Sequence, residues 1–258
     1  MNKIIINLII CTTILIALLV GCTTKSSHKT SIESPEEISA VLKEYKLVGI
    51  GDSLMYGLGG DNGSFCEYLQ KDYGVDTKNH SVNGAGWSPV DKVVYSYKTQ
   101  LSKIMKGIDE GSEYDILLLE GGMNTIEFLR GMNKDATKPS EIIGSMDELD
   151  DKSKISGIVE DNISVVDDYF KSSGRYMFFI YPATPEIEEN EYFTAYKNFM
   201  IEYCKEKNIV MIDLNDIGME YNDTYYSVGT HYTDMGYKLT SDYVAKIIAE
   251  TIVSETDK

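Results

Sequence analysis

Runs of apolar residues alternate along the chain with segments in which apolar residues recur at helical spacing. The continuous runs, typical of strands covered on both faces, lie at 46–50, 114–119, 175–181 and 209–213. A weaker extended segment lies at 75–82, and helical spacing is found at 35–45, 64–72, 92–108, 155–170, 191–207 and 234–253. This alternation predicts an α/β fold, a three-layer α/β/α sandwich with a central parallel sheet of about five strands.

Local composition marks two further segments. Ser34, Pro35 and Glu37 form a helix-start signal, with an N-cap serine, proline at the first position and glutamate at the third. Residues 131–155 are polar with little apolar periodicity, and we interpret them as an excursion or lid loop.

The N-terminal segment has the parts of an export signal. Lys3 is followed by an almost unbroken apolar run to Val20, which is short for a membrane-spanning helix; a plain transmembrane anchor is the alternative. The tetrad Leu19-Val20-Gly21-Cys22 resembles the lipobox of bacterial lipoproteins. That resemblance implies a signal peptide at 1–21 and a lipid on Cys22. We then expect a flexible tether at 22–34, a single domain at 35–258, and anchoring on the outer side of the cytoplasmic membrane.

Composition and charge narrow the possible functions. The 258 residues are 43% hydrophobic and 25% charged, which is typical of a globular chain with a full core. The net charge of −17 repels phosphate backbones, so nucleic-acid binding is disfavoured. The sequence offers no Cys/His cluster with metal-ligand spacing and no signal for a cofactor.

Turn-forming and hydrogen-bonding residues follow each predicted strand. Because the carboxyl ends of parallel strands meet at one edge of the sheet, where ligands bind, these residues converge. They are Gly51-Asp52-Ser53, Asn83-Gly84, Gly122-Met123-Asn124, Pro182-Ala183-Thr184 and the segment after Asp213.

Ser53 and His231 are the candidate nucleophile and base at this edge. Acyl transfer needs a nucleophile, a base for its proton and donors for the oxyanion. The chain has only three histidines: His28 lies in the tether, His80 lies in the weak strand, and His231 lies in the loop before the last helix. The backbone N–H groups of Ser53 and Gly84 and the side-chain amide of Asn124 would supply the oxyanion donors.

Four blocks in order resemble the SGNH, or GDSL, hydrolase family. They are Gly51-Asp52-Ser53-Leu54, the glycine of Ser81-Val82-Asn83-Gly84, Gly122-Met123-Asn124, and His231 followed by Thr233 and Gly236-Tyr237. The resemblance runs from about residue 46 to 253. It implies a flavodoxin-like sandwich and ester hydrolysis, with Ser53 as nucleophile, His231 as base, and Gly84 and Asn124 in the oxyanion hole.

The sequence departs from the family pattern at two positions. Thr125 follows Asn124 where the family usually has aspartate, and Val228 stands three residues before His231 where the family places the aspartate that orients the imidazole. Three arrangements could compensate: a backbone carbonyl, giving a Ser–His dyad; a nearby carboxylate such as Asp223; or a binding role without catalysis. We favour the dyad, with reduced activity. Asp234 is expected to cap the last helix instead.

Two questions remain open at this stage. Cys66 and Cys204 fall in helical patterns, and buried free thiols are favoured over a disulfide between them. The substrate is expected to be a small acyl ester, such as an O-acetyl group on carbohydrate, because aromatic residues that suit sugar faces lie near the blocks: Trp87, Tyr221, Tyr225, Tyr226 and Tyr232. The alternatives are an O-acyltransferase using the same residues, and an inactive surface lipoprotein that binds glycan or a solute.

Overall fold

Five parallel strands form the centre of the computed structural model, which describes residues 32–88, 95–132, 135–183 and 190–256. The strands are β1 (Lys46–Ile50), β2 (Asp76–Asn79), β3 (Ile116–Glu120), β4 (Tyr176–Tyr181) and β5 (Val210–Asp213). Their order in the sheet is β2-β1-β3-β4-β5, with Val48 opposite Leu117 and Leu118 opposite Phe178. The predicted parallel sheet is confirmed. The predicted signal segment and Cys22 lie outside the described residues.

The helices connect the strands. They are α1 (Pro35–Leu42), α2 (Ser53–Tyr56), α3 (Phe65–Tyr73), α4 (Tyr97–Asp109), α5 (Met123–Met132), α6 (Ile155–Ile163), α7 (Asp167–Phe170), α8 (Glu191–Lys207) and α9 (Asp234–Thr256), with short 3-10 turns at Pro139–Glu141, Met146–Glu148 and Leu214–Ile217. No described helix combines the length and the hydropathy needed to cross a membrane.

Alternate residues of the strands feed two separate cores. Leu118 and Phe178 pack on one face of the sheet against α1, α3 and α9. Their neighbours Leu117 and Phe179 pack on the other face against α4, α6 and α8. Because successive side chains of a strand point to opposite faces, a wholly apolar strand requires a helix layer on each side. The predicted three-layer sandwich is therefore confirmed.

The helix predictions hold best where both the start signal and the apolar face are strong. Ser34 caps α1 as predicted, in a reciprocal pair of hydrogen bonds with Glu37. The helix predicted over 92–108 spans Tyr97–Asp109 with Ser96 as its N-cap, and residues 92–94 lie outside the described residues. The helix predicted over 155–170 ends at Ile163 and resumes at Asp167, and the β-branched pair Val165-Val166 occupies the break.

The sheet order reverses between β1 and β3, and this position defines the functional edge. The chain leaves β1 through α3 on one face, whereas it leaves β3 through α6 on the other. The two connections diverge and leave a crevice at the carboxyl ends of the strands, which is where ligands bind in such sheets. Ser53 follows β1 and Asn124 follows β3, so both border this crevice.

Candidate active site

Ser53 is the first residue of α2, a helix of only four residues. The preceding Asp52 caps this helix, since its side chain accepts a hydrogen bond from the Leu54 N–H at 3.3 Å. Gly57 ends the helix at a φ of +92°, a conformation that favours glycine. The sharp turn and short helix leave the Ser53 hydroxyl half-buried at the edge of the sheet.

The structure brings Ser53 and His231 into direct contact. Nε2 of His231 lies 2.9 Å from Oγ of Ser53, and Nδ1 lies 2.9 Å from the carbonyl oxygen of Val228. A carbonyl oxygen can only accept, so Nδ1 carries the hydrogen and the neutral ring presents its Nε2 lone pair to Ser53. This tautomer can accept the serine proton. Of the other histidines, His80 continues β2, where its backbone N–H donates to Gly49, and His28 lies outside the described residues.

The loop that carries His231 is fixed on both sides. Within the loop, the N–H of His231 donates to the Val228 carbonyl and the N–H of Ser227 donates to the His231 carbonyl. The hydroxyl of Tyr221 donates to the Gly229 carbonyl at 3.1 Å. The adjacent Tyr232 is fully buried, and its hydroxyl donates to the carbonyl of Ala183, just after β4. These bonds hold the Val228 carbonyl where Nδ1 needs it.

Neither carboxylate considered from the sequence orients the imidazole. Asp223 is exposed, and the acceptor at Nδ1 is the Val228 carbonyl. The expectation that Asp234 caps the last helix is wrong, because the Thr233 hydroxyl accepts from the Gly236 N–H instead. The Asp234 carboxylate accepts from the backbone N–H groups of Asp61 and Asn62 at 2.9 and 3.0 Å. It therefore ties the loop after α2 to the start of α9.

The three predicted oxyanion donors differ in their availability. The backbone N–H groups of Ser53 and Gly84 make no hydrogen bond to any described residue, and Gly84 is exposed at a φ of +77°. Asn124 Nδ2 already donates to the Ala85 carbonyl at 2.8 Å and to Asp52 at 3.3 Å. The amide could reach an oxyanion only by giving up one of these bonds, of which the longer one to Asp52 is the weaker.

Thr125 has a structural role at the position where the resembling family has aspartate. Its hydroxyl accepts from the Trp87 N–H at 2.8 Å and so holds the segment that begins at Gly84. Trp87 itself is 1% exposed and donates from its ring nitrogen to the Tyr196 hydroxyl. Trp87, Tyr226 and Tyr232 are all buried, so the expectation that these three rings face a sugar is wrong. Only Tyr221 is exposed, and Tyr225 is half-buried.

Sequence reasoning missed a buried acid behind the nucleophile. Glu120, the last residue of β3, is fully buried, and its Oε2 accepts from the N–H groups of Asp52 and Met55 at 3.3 and 3.2 Å. Burial and the nearby Asp52 charge raise the pKa of Glu120 well above its usual value. Burial also raises the pKa of Asp52, whereas the Leu54 N–H and the Tyr97 hydroxyl oppose that shift. The signal in the sequence was a single acidic residue, Glu120, directly after the apolar run that predicts β3.

The two cysteines within the described residues are free and buried, as favoured from the sequence. Cys66 belongs to the core against α3 and Cys204 to the core against α8, so the sheet separates them. Burial raises the pKa of the Cys204 thiol to about 12, and it raises that of Cys66 as well. The described residues hold no group of three or more His, Cys, Asp or Glu side chains suited to a metal ion.

Comparisons with known proteins give matches at the level of structure. No protein-family model matches the chain, and no curated protein sequence matches it either. Among solved structures, it is similar to a G-D-S-L family lipolytic protein from Desulfitobacterium hafniense, with a TM-score of 0.52 at 13% identity over 79% of this chain and 99% of that one.

Two esterase structures match to a similar degree. The family 3 carbohydrate esterase of Clostridium thermocellum has a TM-score of 0.51 at 15% identity, over 81% of this chain and 98% of that one. Esterase EstA of Pseudoalteromonas sp., in a structure inhibited by monoethylphosphonate, has a TM-score of 0.51 at 13% identity, over 81% and 99%. The protein therefore has the three-layer α/β fold of the GDSL, or SGNH, lipolytic proteins and carbohydrate esterases.

Proposed function

We propose that the protein is a serine ester hydrolase in which Ser53 is the nucleophile and His231 the general base. The observation that carries the proposal is the 2.9 Å contact between Ser53 Oγ and His231 Nε2, on a ring whose tautomer leaves Nε2 free to accept a proton. The resemblance of the sequence blocks to the SGNH family supports the same assignment. So do the esterases among the proteins that share the fold.

Each group has a defined part in the proposed reaction. Ser53 Oγ attacks the ester carbonyl while His231 Nε2 takes its proton, and the carbonyl oxygen becomes an oxyanion that accepts from the Ser53 and Gly84 N–H groups. Asn124 adds a third donor when it exchanges its 3.3 Å bond to Asp52 for the oxyanion. His231 then protonates the leaving alcohol, and water cleaves the acyl-serine by the same steps.

The substrate is proposed to be a small acyl ester, in particular an O-acetyl group on carbohydrate. The carbohydrate esterase of the same fold supports this class, and the exposed ring of Tyr221 beside the His231 loop offers a surface for a sugar. Acetate release from acetylated glycans tests the substrate. Cleavage of longer-chain esters without release of acetate from glycans would exclude it.

The anchor is proposed from the sequence alone. Cys22 would carry a lipid that holds the protein on the outer side of the cytoplasmic membrane. Cells fed a tagged fatty acid should label the wild type, whereas a Cys22→Ala variant should remain unlabelled. Equal labelling of both proteins would refute lipidation at this residue.

A serine-directed probe and a chromogenic ester together test the activity. The wild type should hydrolyse p-nitrophenyl acetate and react with a fluorophosphonate, and Ser53→Ala should do neither. Ser102→Ala, on the exposed face of α4, is the matched control and should behave like the wild type. Labelling that persists in Ser53→Ala would remove Ser53 from the mechanism. If the wild type neither turns over ester nor reacts with the probe, a glycan-binding role would replace the hydrolase.

A further inference from the structure

Glu120 holds the two peptide groups that bracket the nucleophile. The Asp52 N–H precedes Ser53 and the Met55 N–H follows it, and both donate to the same carboxyl oxygen, Oε2. The adjacent Gly51 leaves room for this arrangement, since a Cβ there would lie 2.8 Å from Oε2 and 2.6 Å from the Met55 Cβ. The Glu120 carboxyl therefore fixes the backbone turn on which Ser53 stands.

The second oxygen of Glu120 indicates where a proton resides. Oε1 is buried and receives no hydrogen bond from any described N–H or O–H group. Both carboxyl groups are buried, and the charge of Asp52 disfavours a second charge on Glu120, so the pair holds one proton. Asp52 accepts from Tyr97 Oη at 3.2 Å and from Asn124 Nδ2 at 3.3 Å, so the anion is better placed on Asp52. The proton then belongs to Glu120.

We propose that Glu120 is a positioning residue for Ser53: its neutral carboxyl group accepts from the Asp52 and Met55 N–H groups and so holds the turn on which Ser53 stands. The anionic Asp52 in turn orients the amide of Asn124 and the hydroxyl of Tyr97, which accepts from the Gly122 N–H at 2.9 Å. Asp52, which caps α2 and accepts from Asn124, thus links the nucleophile turn with the oxyanion side of the site. The inference rests on the proposed ester hydrolysis.

Loss of that proton should inactivate the enzyme at alkaline pH. Two neighbouring buried carboxylates repel each other, so the turn under Ser53 would loosen. The other titratable groups that face the pair are Tyr97 from α4, Tyr196 from α8, Tyr237 from α9, and Tyr232 and His231 from the loop before α9. Burial raises the pKa of each of these four tyrosines, so they stay neutral while Glu120 titrates.

The test compares Glu120→Ala with Glu120→Gln, measuring kcat and KM for p-nitrophenyl acetate across pH. The alanine variant should lose about 100-fold in kcat with little change in KM, because the serine is misplaced while the binding surface remains. Glutamine keeps a carbonyl oxygen that can accept from both N–H groups and carries no charge, so it should recover activity to within about fivefold of the wild type. It should also lack the alkaline limb of the wild-type profile, since it has no proton to lose.

Infrared spectroscopy of the full protein tests the proton without requiring turnover. Near neutral pH the wild type and Ser53→Ala should show the carbonyl band of a buried protonated carboxyl, and Glu120→Gln should lack it. Absence of the band from the wild type, or an unchanged alkaline limb in Glu120→Gln, would overturn the proposal. So would a glutamine variant as impaired as alanine. Failure of the ester hydrolysis itself would appear differently, as a wild type no more active than Ser53→Ala.

Discussion

His231 receives its orientation from a main-chain atom. The Val228 carbonyl fixes the tautomer as an aspartate would, but it has only a partial negative charge. A carboxylate at this position would also stabilise the imidazolium that forms when the serine proton is taken, and no described carboxylate contacts Nδ1. We therefore expect the proposed Ser–His dyad to give a lower kcat than a Ser–His–Asp triad on the same fold. The ring is oriented in both, but the dyad lacks the full negative charge at Nδ1.

Val228→Asp should supply the missing charge. Val228 is 78% exposed, so the substitution disturbs no packing, and it places a carboxylate beside the imidazole at the position where the resembling family has one. We expect kcat/KM for p-nitrophenyl acetate to rise about tenfold, a gain limited by solvent screening. Val228→Asn, of the same shape without the charge, is the control and should stay near the wild-type value. Equal rates for the two variants would show that charge is not what the dyad lacks.

At the level of elements, the site depends on the contact between two loops. The loop that follows α2 packs against the loop that carries His231, and Gly59 lies at the point of contact. A Cβ on Gly59 would lie 2.7 Å from the Tyr232 carbonyl and 3.1 Å from the His231 Cβ. Only a residue without a side chain fits at position 59 without displacing the loop that carries His231.

Gly59→Ala should separate the proposed catalytic pair, Ser53 and His231. The methyl group must displace the His231 loop, and a shift of about 1 Å at a reacting group can cost about 100-fold in rate. We expect that loss in kcat, measured together with the melting temperature to show that the protein remains folded. Gly229→Ala is the matched control, because Gly229 also has a positive φ but a Cβ there meets no atom within 4 Å. A Gly59→Ala protein as active as this control would exclude the loop contact as a determinant.

Element prediction succeeded where hydrophobic burial dominates. The strands and the long helices α8 and α9 follow from apolar runs and apolar faces, and their positions agree with the structure. The helix α5 was missed because only Thr125 and Ile126 of its residues are buried. The short α2 was missed because tertiary contacts, in particular those of Asp52 and Glu120, define it rather than its own periodicity. The segment 131–155, predicted as an excursion or lid loop, has only short 3-10 turns in its described part between α5 and α6, but Ile142 and Ile143 within it are buried in the core against α4 and α6.

For the molecule as a whole, a buried neutral acid has a cost in stability that depends on pH. The folded-state pKa of Glu120 is raised, so the folded protein binds more protons than the unfolded chain above the ordinary glutamate pKa of about 4.3. The contribution of Glu120 to the free energy of unfolding therefore falls as pH rises from that value towards the folded-state pKa. Below it, the group is protonated in both states and contributes no pH dependence.

Glu120→Gln should remove this dependence. The melting temperature of the variant should be similar to that of the wild type near pH 4 and should exceed it by a margin that grows as pH rises, because glutamine needs no proton to remain neutral. Thermal unfolding monitored by circular dichroism across pH measures the difference. Glu202→Gln, on the exposed surface of α8, should show no such trend. A constant difference at every pH would indicate that Glu120 is ionised in the folded protein.

The sequence could predict only those parts of the site that are recognised by residue type and motif. Ser53 and His231 are 178 residues apart, yet the strand order brings both to one edge, and the sequence blocks name both. The Val228 carbonyl could not be singled out, because every residue carries a carbonyl and only the folded turn selects one. Glu120 was missed because its role depends on which backbone groups meet it across β1 and β3.

The main-chain acceptor at Nδ1 also determines how the proposed activity can be lost. Replacing side chains one at a time cannot delete a carbonyl, so an alanine scan would not find the group that orients the imidazole of His231. Mild heating or low denaturant, by contrast, could open the short turn from 228 to 231 while the sheet stays folded. Loss of activity before loss of secondary structure would then show that the orientation of His231 depends on the conformation of this turn.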